Sequence, residues 1–183
     1  MRITIRDVQR VVNKVYNTNV AEVCNDQDVL YFRMHFGDYH CAVYIGLYDK
    51  YPDNPNASKQ NLELTFIPVD EEGADLVYHN RTFVDMLMLS NELQRVVDWS
   101  AVSVCEDTDG STIISFGRNI NTSRNDLKRA FAGDPESELG TALHMLSTEF
   151  IVVAPVIHNF ARGTTSLEHT KLLLQKPQTQ ARM

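Results

Sequence analysis

The sequence predicts an α+β fold: an antiparallel sheet with helices packed on it, in the order α-β-β-β-α-β-β-α. Three observations carry that reading. Apolar residues at helical spacing open the chain and return in its middle and its last third. Runs rich in aromatic and branched residues come in pairs, joined by Gly37-Asp38 and by Asp109-Gly110, as in β-hairpins. Helices and hairpins also fall in separate blocks, which favours antiparallel pairing over a parallel α/β arrangement.

The first helix is read from Ile5, Val8, Val11, Val12, Val15 and Tyr16, which share one face, with Thr4 and Asp7 at capping-box spacing and Asn17-Thr18-Asn19 as its end. Val20–Cys24 is a short strand candidate, and Val29–Phe36 and Tyr39–Tyr48 are stronger ones. Asp49–Lys59 reads as a loop. Gln60–Pro68 alternates Leu62, Leu64 and Phe66 against Glu63, Thr65 and Ile67, a strand with one face toward a core. Asp70–Ala74 is an acidic turn and Leu76–Tyr78 a short extension.

A second helix is expected from Phe83 to Trp99, again started by a capping box, Thr82 and Asp85. Its near-continuous apolar run from Phe83 to Leu89 predicts burial on most sides. Ala101–Cys105 and Thr112–Ile120 form the second hairpin, and Arg124–Ala132 a short helix. Gly133-Asp134-Pro135 restarts the chain. The final helix carries a stripe of Leu139, Ala142, Leu143, Leu146, Phe150, Val153, Ile157 and Phe160, with a kink expected near Ile151–Val152 because of Pro155. These elements place a single α+β domain in residues 1–162 and a mobile, basic C-terminal tail in 163–183.

A chain of 183 residues, 43% hydrophobic and 22% charged, suits one domain that buries roughly 70% of its unfolded surface. No apolar run approaches bilayer-spanning length by eye, and the charged start Met1–Asp7 is unlike a secretory leader, so a cytoplasmic protein without membrane contact is expected. Net charge is −7, with +3 from Arg162 onward and −10 before it. So acidic a body repels phosphate backbones, which argues against nucleic-acid binding and for basic protein partners.

Asn91 in the middle helix, Val102-Ser103-Val104-Cys105, the Asp109-Gly110 turn, the strand Thr112–Phe116 and the Leu127/Phe131 helix together resemble the YbjN family. These are bacterial proteins with a fold like that of type III secretion chaperones. The likeness covers residues 5–160 in element order and about 45 residues in pattern. It implies the chaperone-like fold, no catalytic residues, a possible homodimer, and a role in protein binding or regulation.

Chemistry-bearing motifs are few. GxxxxGK[ST], GxGxxG after a strand, HExxH and GxSxG are all missing. Of His35, His40, His79, His144, His158 and His169, the first two flank a hairpin turn beside Asp38, but two imidazoles are too few for a metal. Asp107 with Asp109, and Asp70, Glu71 and Glu72, read as solvated turns, since the EF-hand spacing is lacking. Cys24, Cys41 and Cys105 read as small buried hydrophobes without CxxC spacing. The aromatic strand residues Tyr31, Phe32, Phe36, Tyr39, Tyr44 and Tyr48 divide between the core and a sheet surface that could form a binding groove.

No catalytic, cofactor or metal residues are therefore assigned. The leading expectation is a non-catalytic protein-binding or regulatory module, working through an exposed sheet face or a dimer seam. The alternatives are an enzyme or redox protein using a cysteine, and a structural subunit of a larger assembly.

Overall fold

A computed structural model describes residues 4–16, 22–23, 28–49, 60–78, 81–106, 111–121 and 138–175. Helix α1 (Ile5–Val15) forms as expected, with Ile5, Val8, Val11 and Val12 buried along one face. At its start the Asp7 N–H donates to Thr4 Oγ1 at 3.4 Å, and the Thr4 N–H donates to the Asp7 carboxylate at 3.0 Å. Those bonds from Thr4 hold the Asp7 carboxyl below its ordinary range.

Strands β1 (Glu22–Val23), β2 (Val29–Phe36), β3 (Tyr39–Asp49) and β4 (Gln60–Val69) follow, then helix α2 (Phe83–Gln94), β5 (Ala101–Glu106) and β6 (Thr112–Asn121). They make one antiparallel sheet in the order β1-β2-β3-β4-β6-β5. Helix α2 carries the chain from β4 to the far edge, and β6 returns between β4 and β5. The β2–β3 turn uses Gly37 at φ 64°, a left-handed conformation that glycine adopts without a Cβ clash. Helices α3 (Glu138–Ala161) and α4 (Leu167–Gln175) complete the order.

Burial alternates along the strands. Phe32, Val43, Ile45, Leu62, Leu64, Phe66, Ile114 and Phe116 point to one core, which also takes the whole expected stripe of α3. Phe150 stands at its centre, with ring centroids 5.5 Å from Phe36, 6.4 Å from Phe66 and 6.2 Å from Phe116. All four described helices pack on this side of the sheet.

Five expectations change. Helix α2 stops at Gln94 rather than Trp99, because the Glu149 carboxylate of α3 captures the next turn. It accepts the N–H groups of Asp98, Trp99 and Ser100 at 2.8, 2.5 and 2.9 Å, and the Ser100 hydroxyl at 2.7 Å. Nor is α2 covered on most sides: Met86, Leu89, Ser90 and Leu93 are buried, while Phe83, Val84, Leu87 and Met88 are exposed. Leu76–Tyr78 is not a strand; only Asp75 bridges to Val69.

The fourth change concerns the membrane-spanning potential of α3, a helix with Pro155 inside it. By length and composition its Leu139–Ala161 stretch, 23 residues at a mean hydropathy of 1.5, could cross a membrane, contrary to the expectation from sequence. Half of that apolar window is buried in this fold, in the stripe that packs on the sheet, while Met145, Ile151 and Val152 are exposed.

Last, the boundary at 162/163 moves. Residues 167–175 are not a mobile tail but helix α4, with Thr170 and Leu174 buried and Leu167 and Leu173 packed against the core. Arg81 ties the link to it, donating to Phe160 O at 3.3 Å and to Thr165 O, with its guanidinium 4.1 Å from the Phe160 ring centroid. Asn17–Asn19, most of Val20–Cys24, the loop at 50–59, the Asp109-Gly110 turn, the Arg124–Ala132 helix, Gly133–Pro135 and residues 176–183 lie outside the described residues.

At the β5 edge, Gln94 binds the strand with both ends of its amide. Its Nε2 donates to Ser100 O at 3.0 Å, and its Oε1 accepts the Val102 N–H at 2.7 Å.

Candidate functional site

The alternation that buries one side of β2–β4 sends Tyr31, Arg33, Tyr44, Tyr48 and Glu63 to the other. No described helix packs on that side. Tyr31 and Tyr44 stand opposite each other in the ladder with ring centroids 5.1 Å apart, and Arg33 Nε donates to the Tyr31 hydroxyl at 2.8 Å. Tyr44 is 37% and Tyr48 48% exposed, high for such large amphipathic side chains. A Cβ at Gly46 would come within 2.4 Å of the Tyr48 ring, so the absence of a side chain there lets that ring lie close against the strand.

The six strand aromatics thus divide evenly. Tyr31, Tyr44 and Tyr48 lie on the face opposite the described helices; Phe32 is in the core, and Phe36 and Tyr39 pack against it.

At one end of the sheet the acidic turn folds toward this face. Asp70 Oδ1 accepts the Ala74 N–H at 2.8 Å, and Arg33 donates to Glu72 O at 2.7 Å. Between that turn, the β2–β3 turn and the end of α3 lies an open cleft of about 380 Å³. Asp38, His40, Asp70, Glu71 and Glu72 line it, so two candidate groups that are separate in sequence meet there.

His35 and His40 do pair, with Nδ1 atoms 2.6 Å apart across the hairpin, one donating to the other. Among the described residues, however, no three His, Cys, Asp or Glu side chains are grouped to hold a metal ion. His144 and His169 are exposed on helices. Cys41 is fully buried, and burial pushes its thiol pKa up, which makes it inert; Cys105 is exposed, and neither is in a disulfide. Cys24, His79, Asp107 and Asp109 lie outside the described residues.

Sequence reasoning passed over His158, which also lines the cleft. It is 3% exposed, its ring sits 5.1 Å from that of Tyr39, and burial together with Arg162 and His40 pushes its pKa down to about 4. Its only signal in sequence is position: it lies between Ala154 and Ala161 on the buried side of α3.

No model of a known protein family, no curated protein and no solved structure matches the chain.

Proposed function

We propose that the chain is a non-catalytic protein-binding or regulatory module of the YbjN and secretion-chaperone-like kind, working through the sheet face opposite the described helices. One observation carries the reading: Tyr31, Tyr44 and Tyr48 stand together on a face that no described helix covers. Tyrosine supplies large contact area and a hydroxyl at little cost in side-chain entropy, and it is enriched where protein interfaces concentrate their energy. The acidic body favours a partner with basic groups around an apolar patch.

The test uses the wild-type chain and a Tyr44→Ala/Tyr48→Ala variant as affinity baits, with quantitative mass spectrometry of what each retains. A protein held by the wild type and depleted at least tenfold by the variant supports the reading. Identical captures refute it. A homodimer through the same face would appear as a halving of mass in sedimentation on making the variant. The rival cysteine chemistry is tested by thiol titration of the native protein: reaction at Cys105 much faster than that of an ordinary exposed thiol would favour it.

A further inference from the structure

We infer that the β5 margin of the sheet and the flank of α2 beside it form one seam, at which a second copy of this chain docks strand against strand and helix against helix. This rests on residues other than the tyrosine face and would stand if that face bound nothing.

Strand β5 is the last of the described sheet, so one side of its backbone faces away from β6. The Gln94 clamp shows which residues face that way. Since Gln94 takes the Val102 N–H, Val102 is not hydrogen-bonded to Phe116 opposite it. In an antiparallel ladder every second residue then points outward with both its N–H and its C=O, which here means Val102, Val104 and Glu106. Among the described residues nothing bonds the Val104 N–H or C=O. The strand also lacks the devices that commonly close an edge: Ala101–Cys105 holds no charge, proline or glycine.

A free margin alone does not say what covers it. The second observation is the flank of α2. Leu87 and Phe83 lie two and three turns before Gln94, so they share its side of the helix, the side that reaches the β5 margin. They are 40% and 38% exposed, and exposed Val84 and Met88 widen the apolar surface. An extended peptide would cover the margin and leave this flank wet, whereas a second copy brings both a strand and a helix. The spacing fits. Helix α2 rests on β5 and β6. With neighbouring strands about 4.8 Å apart, a helix over the boundary between them lies about 10 Å from its two-fold mate, the separation of packed helices.

The register follows. A two-fold axis at Val104 pairs that residue with its own copy through two N–H···O=C bonds, and joins each Glu106 N–H to the Val102 C=O of the other chain. Ser103 then stands opposite Cys105. Two acidic chains repel, but this strand is uncharged up to Glu106, and the register sets the two glutamates at opposite ends, each against a valine. The six-residue margin falls short of the ~800 Å² per partner of a standard interface, and the four apolar side chains of α2 add to it.

Sedimentation equilibrium of the full chain should give twice the chain mass. Val104→Pro, which removes no bond of the β5–β6 ladder, and Leu87→Glu should each raise the dissociation constant at least tenfold. If Val104→Pro does not fold, Leu87→Glu decides. Val152→Glu, a like change on the exposed surface of α3, should alter it less than twofold, and so should Tyr44→Ala/Tyr48→Ala, which separates this seam from the tyrosine face. The register has its own readout: on oxidation with diamide, Ser103→Cys should cross-link to Cys105 of the other copy, and the wild type at least tenfold more slowly. A dimer indifferent to Leu87→Glu, lost in the tyrosine variant, or cross-linked as fast without Ser103→Cys would overturn the inference. So would a wild type that stays monomeric up to about 100 μM, which would leave the margin to a strand of another protein.

Discussion

Along β4, Leu62, Leu64 and Phe66 are fully buried, while Glu63, Thr65 and Ile67 between them face the opposite way, with Glu63 exposed. On β3, Val43, Ile45 and Leu47 face the helices, and Tyr44 and Tyr48 face away from them. The same strands thus build two surfaces of different character, one dry and interlocked, the other rich in tyrosine and without a described helix on it. Because a strand alternates its side chains strictly, stability and surface chemistry are assigned to different residues without separating them in sequence. The outer face can change while the core stays fixed.

The sharpest way to break that contrast is to place one charge on each side of β4. Phe66→Asp would bury an unpaired carboxylate, which exceeds a net stability of ~5–15 kcal/mol once the lost packing is added, and circular dichroism should show an unfolded chain. Thr65→Asp, one residue away, should fold and cost about 1 kcal/mol or less in urea denaturation. Similar losses at both positions would mean that the outer face is buried as well.

A smaller effect tests how far the dry side extends. Ending the chain at Gly163 removes buried Leu174 and Thr170 together with the partly buried Leu167 and Leu173. The loss should be roughly 3 kcal/mol, or about ten degrees in melting temperature by calorimetry. A shift of only two or three degrees would make α4 a passenger on the core.

Acid distinguishes the two sides as well. His158 has an ordinary pKa of 6.5 but about 4 in the fold, so below pH 6.5 the unfolded chain takes up a proton that the folded chain refuses. Its contribution is complete above pH 6.5 and is lost as pH falls toward 4, by up to roughly 3 kcal/mol. His158→Leu should flatten denaturation midpoints across that window, and an unchanged slope would show that other groups set the acid response. The smallest expected effect is at the start of α2. Thr82→Ala removes the hydroxyl that accepts the Asp85 N–H at 3.2 Å and should cost about 1 kcal/mol. The Thr82 N–H and hydroxyl also hold the Asp85 carboxyl below its ordinary range, so that stabilisation is present above pH 3.8 and fades as pH falls below it.

What could be read from the residues alone follows the range of the forces involved. Strands β2, β3 and β4 are legible because period-two burial is written locally, and both capping boxes lie within four residues. Helix α2 is misread in length and exposure because its limits are set from a distance: Glu149, some fifty residues on, takes up the N–H groups after its end. Its apolar Phe83, Val84, Leu87 and Met88 look like core and are not, since composition does not say which neighbours arrive. Leu172–Leu174 is visible as an apolar cluster, but only Leu174 is buried, and that depends on where α2 and α3 have placed themselves. The cleft was the least legible of all. Asp38, the Asp70–Glu72 turn and His158 come together only through the sheet register and the position at which α3 ends.

The clamp that Gln94 places on the β5 backbone bears on how the molecule meets copies of itself. An open sheet margin invites an incoming strand, and strand-by-strand growth of this kind leads to fibres. With the Val102 N–H occupied from within the chain, that margin offers one donor fewer to an arriving segment. Losing the Gln94 amide would therefore be felt in crowded solution before it was felt in the fold, as a slow conversion of soluble protein into aggregate.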